Sequence, residues 1–95
     1  MMYQDKVNTL VEHYQFTNEW SQFRHCQAWL SGHIYNSAYN KTFRLMKSYN
    51  TIVAFIDCNT KEFISLGKWS RTTSKQTTQI YNALFAPHGY IFKQW

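Results

Sequence analysis

Ninety-five residues, 44% of them hydrophobic, are enough for one packed core and too few for two, so the chain reads as a single domain spanning 1–95 rather than a disordered polymer. The charge of +5 is lopsided: residues 1–40 hold Lys6 and Arg24 against three acids, a balance of −1, whereas residues 41–95 hold eight cations against Asp57 and Glu62, a balance of +6. A basic half attracts phosphates or acidic protein surfaces, and the lack of a long apolar run or a leader-like start argues against membrane insertion and secretion, leaving the cytosol as the expected location.

Val7, Leu10, Val11 and Tyr14 recur at helical spacing, which predicts a helix over about residues 4–15 with Lys6, Asn8 and Glu12 on its wet side. Thr17 or Asn18 fits the cap of a second helix over 19–31. Glu19 would complement its positive end, Trp20, Phe23 and Leu30 would form its buried stripe, and Gly32 would stop it. Residues 33–40 show no period and read as a loop. From Thr42 the period becomes two: Phe43 and Leu45 alternate with Arg44 and Met46, as in a strand with one wet face. Residues 51–56 are apolar on both faces, as a central strand is, and after a polar turn residues 63–66 return as its hairpin partner, with Gly67 at the end.

Thr73-Ser74-Lys75-Gln76 has the form of a capping box and opens a third helix. Thr77, Ile80, Tyr81, Leu84 and Phe85 share one side of it and Lys75, Gln79 and Asn82 the other, with Pro87 and Gly89 as terminators. Residues 90–95 alternate and add an edge strand. The expected class is α+β: two amino-terminal helices beside a small antiparallel sheet of about three strands, with a carboxy-terminal helix across it. In that arrangement 1–40 is a helical extension and 41–95 a basic ββα-type portion.

Chemistry-bearing motifs are scarce. No two of the five acids fall within one motif, which argues against acid–base hydrolysis, and the three glycines form neither a phosphate loop nor a nucleophile elbow, so no cofactor is expected. The four histidines and two cysteines lack paired metal-ligand spacings; His25 and Cys26, neighbours on the predicted second helix, would point about 100° apart. No metal is expected, and both thiols read as reduced. These exclusions favour binding over catalysis. Seven Phe, seven Tyr and four Trp are more rings than so small a core hides, and exposed Tyr and Trp suit protein interfaces or base stacking.

The densest candidate surface runs from Lys68 to Gln76. There Lys68, Arg71 and Lys75, the Trp69 indole and a run of hydroxyls that includes Thr72 meet the start of a helix, whose backbone amides favour an anion. Arg71 suits paired hydrogen bonds to phosphate or a guanine edge, and Gln76 and Gln79 extend the reach by a turn. The same residues also read as caps and solvated charges that merely begin a helix. Tyr49 and Trp95 are the rings expected to assist. Lys41, Arg44 and Lys47, spaced by three on a strand, do not share a face.

Two stretches, Ser48-Tyr49-Asn50-Thr51-Ile52-Val53-Ala54 and Leu66-Gly67-Lys68-Trp69-Ser70-Arg71-Thr72-Thr73-Ser74-Lys75-Gln76, give residues 48–85 a resemblance to a group of small, mostly uncharacterised bacteriophage and plasmid proteins. Members usually carry tyrosine where Trp69 stands and commonly glycine within the turn occupied here by Asn59-Thr60-Lys61. The resemblance implies a mobile-element origin. Small proteins of such elements include inhibitors of host defence, among them anti-CRISPR proteins, so the expected partner is a host protein or ribonucleoprotein complex such as a CRISPR effector. The alternative is a nucleic-acid-binding regulator that uses the helix from residue 74 as its recognition helix, and a homodimer joined through the surplus rings is a third expectation.

Overall fold

The computed structural model describes residues 3–16 and 19–95. Helix α1 (Tyr3–Tyr14) follows the predicted spacing: Val7 and Leu10 are buried, Val11 and Tyr14 half-buried beside them, and Asp5, Asn8 and Glu12 face water. The second predicted helix is not formed. Its span holds β1 (Trp20–Gln22), a turn at 23–27 and β2 (Ala28–Ser31), and the expected loop at 33–40 contains β3 (Ile34–Asn36). The residues expected to cap that helix, Thr17 and Asn18, lie outside the described residues. Trp20, Phe23 and Leu30 imitate a helical stripe only in sequence, because Ala28 and Leu30 face one side of a sheet while Trp29 faces the other. Gly32 provides no left-handed stop; the one glycine with positive φ is Gly89, at +81°.

Strands β4 (Lys41–Ser48), β5 (Thr51–Asp57), β6 (Glu62–Ser65) and β7 (Ile91–Gln94) complete a mixed sheet. Seven strands among the described residues thus replace the small antiparallel sheet expected, in the order β1-β2-β4-β5-β6-β7, with β3 also paired to β4. β3 pairs with the first half of β4 and β2 with the second, so the two are pieces of one strand broken at Gly32 and His33. The Ser31 hydroxyl spans the break, accepting from the Leu45 N–H at 2.7 Å and donating to the Gly32 carbonyl at 2.9 Å. β1 to β3 therefore belong to the same sheet as the basic half, and residues 1–40 form no separate helical extension.

β7 pairs parallel to β6, whereas every other pair is antiparallel. The connection between them crosses the sheet as α2 (Arg71–Ile80), a π-helical turn (Tyr81–Phe85) and a 3₁₀ turn (Ala86–His88). A crossover of this length is what returns a strand in the same direction. The two helices cover opposite faces. α1 lies over Phe43, Leu45, Phe55 and Ile64, while α2 and its continuation place Ile80 and Phe85 over Leu30, Met46, Ile56 and Phe63. A central strand covered on both faces must be apolar on both, which is why β5 reads as a continuous hydrophobic run. Its extra residue, Val53, is a bulge: Met46 pairs with Ala54 and Lys47 with Ile52. No helix among the described residues is long and apolar enough to cross a membrane.

Candidate partner-binding site

α2 starts two residues before the expected capping box. Ser70 is the cap, and its hydroxyl accepts from the Thr73 N–H at 3.3 Å. Gln76 does not reach back to the helix start. It is only 8% exposed, and its side-chain oxygen accepts from the Ser48 hydroxyl at 2.8 Å, while the Thr73 hydroxyl lies 3.3 Å from the same Ser48 oxygen. A buried amide and hydroxyl that satisfy each other attach the inner side of α2 to the end of β4. Gln76 is therefore a packing residue and is not available to a partner.

With its inner side fixed, α2 presents Arg71, Thr72, Lys75 and Thr78 to water, and the π-helical turn that continues it adds Asn82. Lys68 is exposed just before the helix, and Gln79 is half-buried at the edge of this surface. Among the described residues none of Lys68, Arg71 and Lys75 has a carboxylate within 4 Å, because the two acids of this half are engaged elsewhere: Asp57 with Lys41, and Glu62 with Lys93. No acid follows Glu62 in the sequence. The outer surface of α2 is thus made of cations, hydroxyls and an amide, a donor-rich strip without internal neutralisation. Thr78 and Asn82 extend the sequence-derived site. They lie three and seven residues after Lys75; the helical period already sets Asn82 on the side of Lys75, and the same period identifies Thr78.

The three aromatic candidates separate. Trp69 is half-buried and structural: its indole N–H donates to the carbonyl of the bulged Val53 at 3.2 Å, beside the Leu66 N–H, which donates to the same oxygen at 3.0 Å. A Cβ on Gly67 would meet the Trp69 ring at 3.3 Å, so the glycine makes room for it. Trp95 packs on the opposite face of the sheet, edge-on to Tyr3 at 6.4 Å, and is no part of the α2 surface. Tyr49 remains. It occupies the β4–β5 hairpin tip, next to the Ser48 that binds α2; its side chain is 56% exposed and its backbone is left-handed at φ +55°. A donor bond from its N–H to the Gln27 carbonyl at 3.0 Å holds that tip in place.

Asp57 is fully buried at the end of β5. It accepts from the Tyr3 hydroxyl at 2.7 Å, the Lys41 ammonium at 2.6 Å and the N–H groups of Asn59 and Thr60. Burial alone would raise its carboxyl, but these donors outweigh it and hold the group below the ordinary carboxylate value; Tyr3 is pushed up by burial and by the same carboxylate. Such a carboxylate fastens α1 to the sheet. His25 and Cys26 lie in the β1–β2 turn and not on a helix, and the described residues contain no cluster of three groups able to hold a metal ion. Burial pushes the Cys58 thiol up, away from the thiolate that nucleophilic chemistry needs.

A family model described as a family of unknown function, DUF8033, matches residues 28–86, which run from β2 to the 3₁₀ turn. The chain belongs to this family. No curated protein and no solved structure matches it.

Proposed function

We propose that the chain is a binding protein of a phage or plasmid, rather than an enzyme, and that it docks on a phosphate-bearing partner through the outer side of α2. The observation that carries this reading is that Lys68, Arg71 and Lys75 stand exposed and without a carboxylate, on a helix whose other side is attached to the sheet through Ser48 and Gln76. A rigid cationic strip costs little ordering on contact, and its guanidinium, hydroxyls and amide match phosphate oxygens. Tyr49, exposed at the hairpin tip one residue after the Ser48 whose hydroxyl meets the helix, adds a ring suited to stack on a base at the edge of the contact. Nucleic acid carried by a host-defence nucleoprotein, such as a CRISPR effector, presents these groups, and so does a free duplex.

Fluorescence anisotropy with labelled RNA and DNA, alone and in a guide-loaded effector, tests the reading. Three phosphate contacts weaken binding by about 40-fold between about 50 and 200 mM salt. The triple variant Lys68→Glu, Arg71→Glu, Lys75→Glu abolishes capture and leaves the melting temperature within about 2 °C of the parent, since none of the three is buried or paired. Capture that survives the charge reversal overturns the proposal.

A further inference from the structure

α1 runs along the strands rather than across them, from Tyr3 beside Asp57 at the end of β5 to Val11 beside Ile52 near its start, so one helix cannot cover a face six strands wide. The helix seals β4 to β6 and leaves the β1–β2 side of the same face open. Across the open part runs a row of paired residues, Trp29, Lys47 and Ile52, with Trp20 next to it. The Lys47 ammonium lies 4.6 Å from the centre of the Trp20 ring and 5.3 Å from that of Trp29. Among the described residues it has neither a carboxylate within 4 Å nor a hydrogen-bond acceptor. Two indoles therefore hold a half-buried cation in position without neutralising it.

This cation lines a cavity of about 450 Å³. Val11 and the 84%-exposed Phe16, from the end of α1 and just beyond, form its apolar wall; Lys47 and Ile52 contribute from the sheet, and Gln15, Asn50 and Thr51 supply amides and a hydroxyl. The volume lies within the range of about 300–1,000 Å³ usual for small-molecule sites, and the lining joins three apolar side chains to four polar ones, with Lys47 as the charge among them. We infer that this cavity binds a small organic anion, a carboxylate attached to a flat apolar body. Its charge would meet Lys47, its second oxygen the donors of the rim, and its apolar body Val11, Phe16 and Ile52. The site faces away from the outer side of α2 and does not depend on the function proposed for that side.

Naphthoate and its neutral counterpart naphthamide are suitable probes, followed by calorimetry and by backbone amide shifts. Naphthoate should bind one-to-one with a dissociation constant below about 1 mM, at least about tenfold tighter than naphthamide, and shift Val11, Lys47 and Thr51. Lys47→Met, which keeps the stem and removes the charge, should abolish that preference and leave naphthamide unaffected. Thr51→Trp adds an indole at an exposed rim position and should weaken both probes at least about tenfold. Equal affinity for the two probes in the parent protein, shifts that gather on α2, or naphthoate binding undiminished in Thr51→Trp would overturn the assignment, even if Lys47→Met failed to fold.

Discussion

The two helices sit on opposite faces of one sheet and are fastened to it by different forces. α1 is held at its start by a charged network, in which the Tyr3 hydroxyl donates to Asp57 and Asp57 is neutralised by Lys41. α2 is held by neutral contacts: the Ser48 to Gln76 hydrogen bond at its start, and at its end Ile80 and the ring cluster of Phe63, Tyr81, Phe85 and Phe92. A charged fastening responds to pH and a neutral one does not. Among the described residues no ion pair attaches α2 to the sheet, and the one charge against its continuation is the Arg44 guanidinium, 5.8 Å from the centre of the Phe85 ring.

The largest effect is expected where the neutral fastening is thickest. Phe63 is fully buried and touches three other rings, at 5.5 Å to Tyr81, 5.3 Å to Phe85 and 5.6 Å to Phe92. Phe63→Ala should cost about 3–5 kcal/mol in denaturant unfolding, with no change in its pH dependence. A loss below about 1 kcal/mol would show that the α2 side depends on this cluster far less than the contacts imply.

On the α1 side, Asp57→Asn removes one partner of a buried ion pair and should cost about 3 kcal/mol at neutral pH. The pH profile identifies the cause. The folded carboxyl lies below its ordinary value, so its contribution is complete above about pH 4 and is lost as the pH falls through the folded value. Glu62, lowered by Lys93 and Thr60, acts in the same direction from a more exposed position. Melting temperatures of the parent should therefore fall steeply below about pH 4, and those of Asp57→Asn should fall less. Parallel curves for the two proteins would remove Asp57 from the account.

The same division explains what was legible in the sequence. α1 and α2 each show an apolar period over two to three turns, and β5 shows the unbroken apolar run of a strand buried on both faces. β1, β2 and β3 have three or four residues each, too few for a period of two to register; β1 pairs β2 and β3 pairs β4 across short turns, but β2 must also find β4, as Trp29 finds Lys47. Trp20, Phe23 and Leu30 therefore fell on a helical spacing by coincidence, and tertiary pairing decided the outcome. At the candidate site, Lys68, Arg71, Thr72 and Lys75 were legible because a helix start and a run of cations are local features. The inward turn of Gln76, the tie between Trp69 and Val53, and the placement of Trp95 under the other face all depend on strand order, which no local pattern contains.

The smallest effect is also the most specific, because it tunes the charged fastening without touching a charge in it. The β5–β6 turn that donates the Asn59 and Thr60 N–H groups to Asp57 ends at Lys61, whose backbone is left-handed at φ +57°. A side chain in that conformation costs about 1–2 kcal/mol, whereas glycine adopts it freely and loses about 0.5–1 kcal/mol to its more flexible unfolded chain. Lys61→Gly should therefore stabilise the protein by about 0.5–1 kcal/mol, raising the melting temperature by about 2–5 °C with the acid limb of the pH profile unchanged. The Lys61 carbonyl, which accepts from the Ile91 N–H at 2.9 Å and so starts β7, is retained by the substitution. A fall in stability would mean that the lysine side chain supports the turn in spite of its backbone, and the charged fastening would then begin at Lys61 rather than at Asp57.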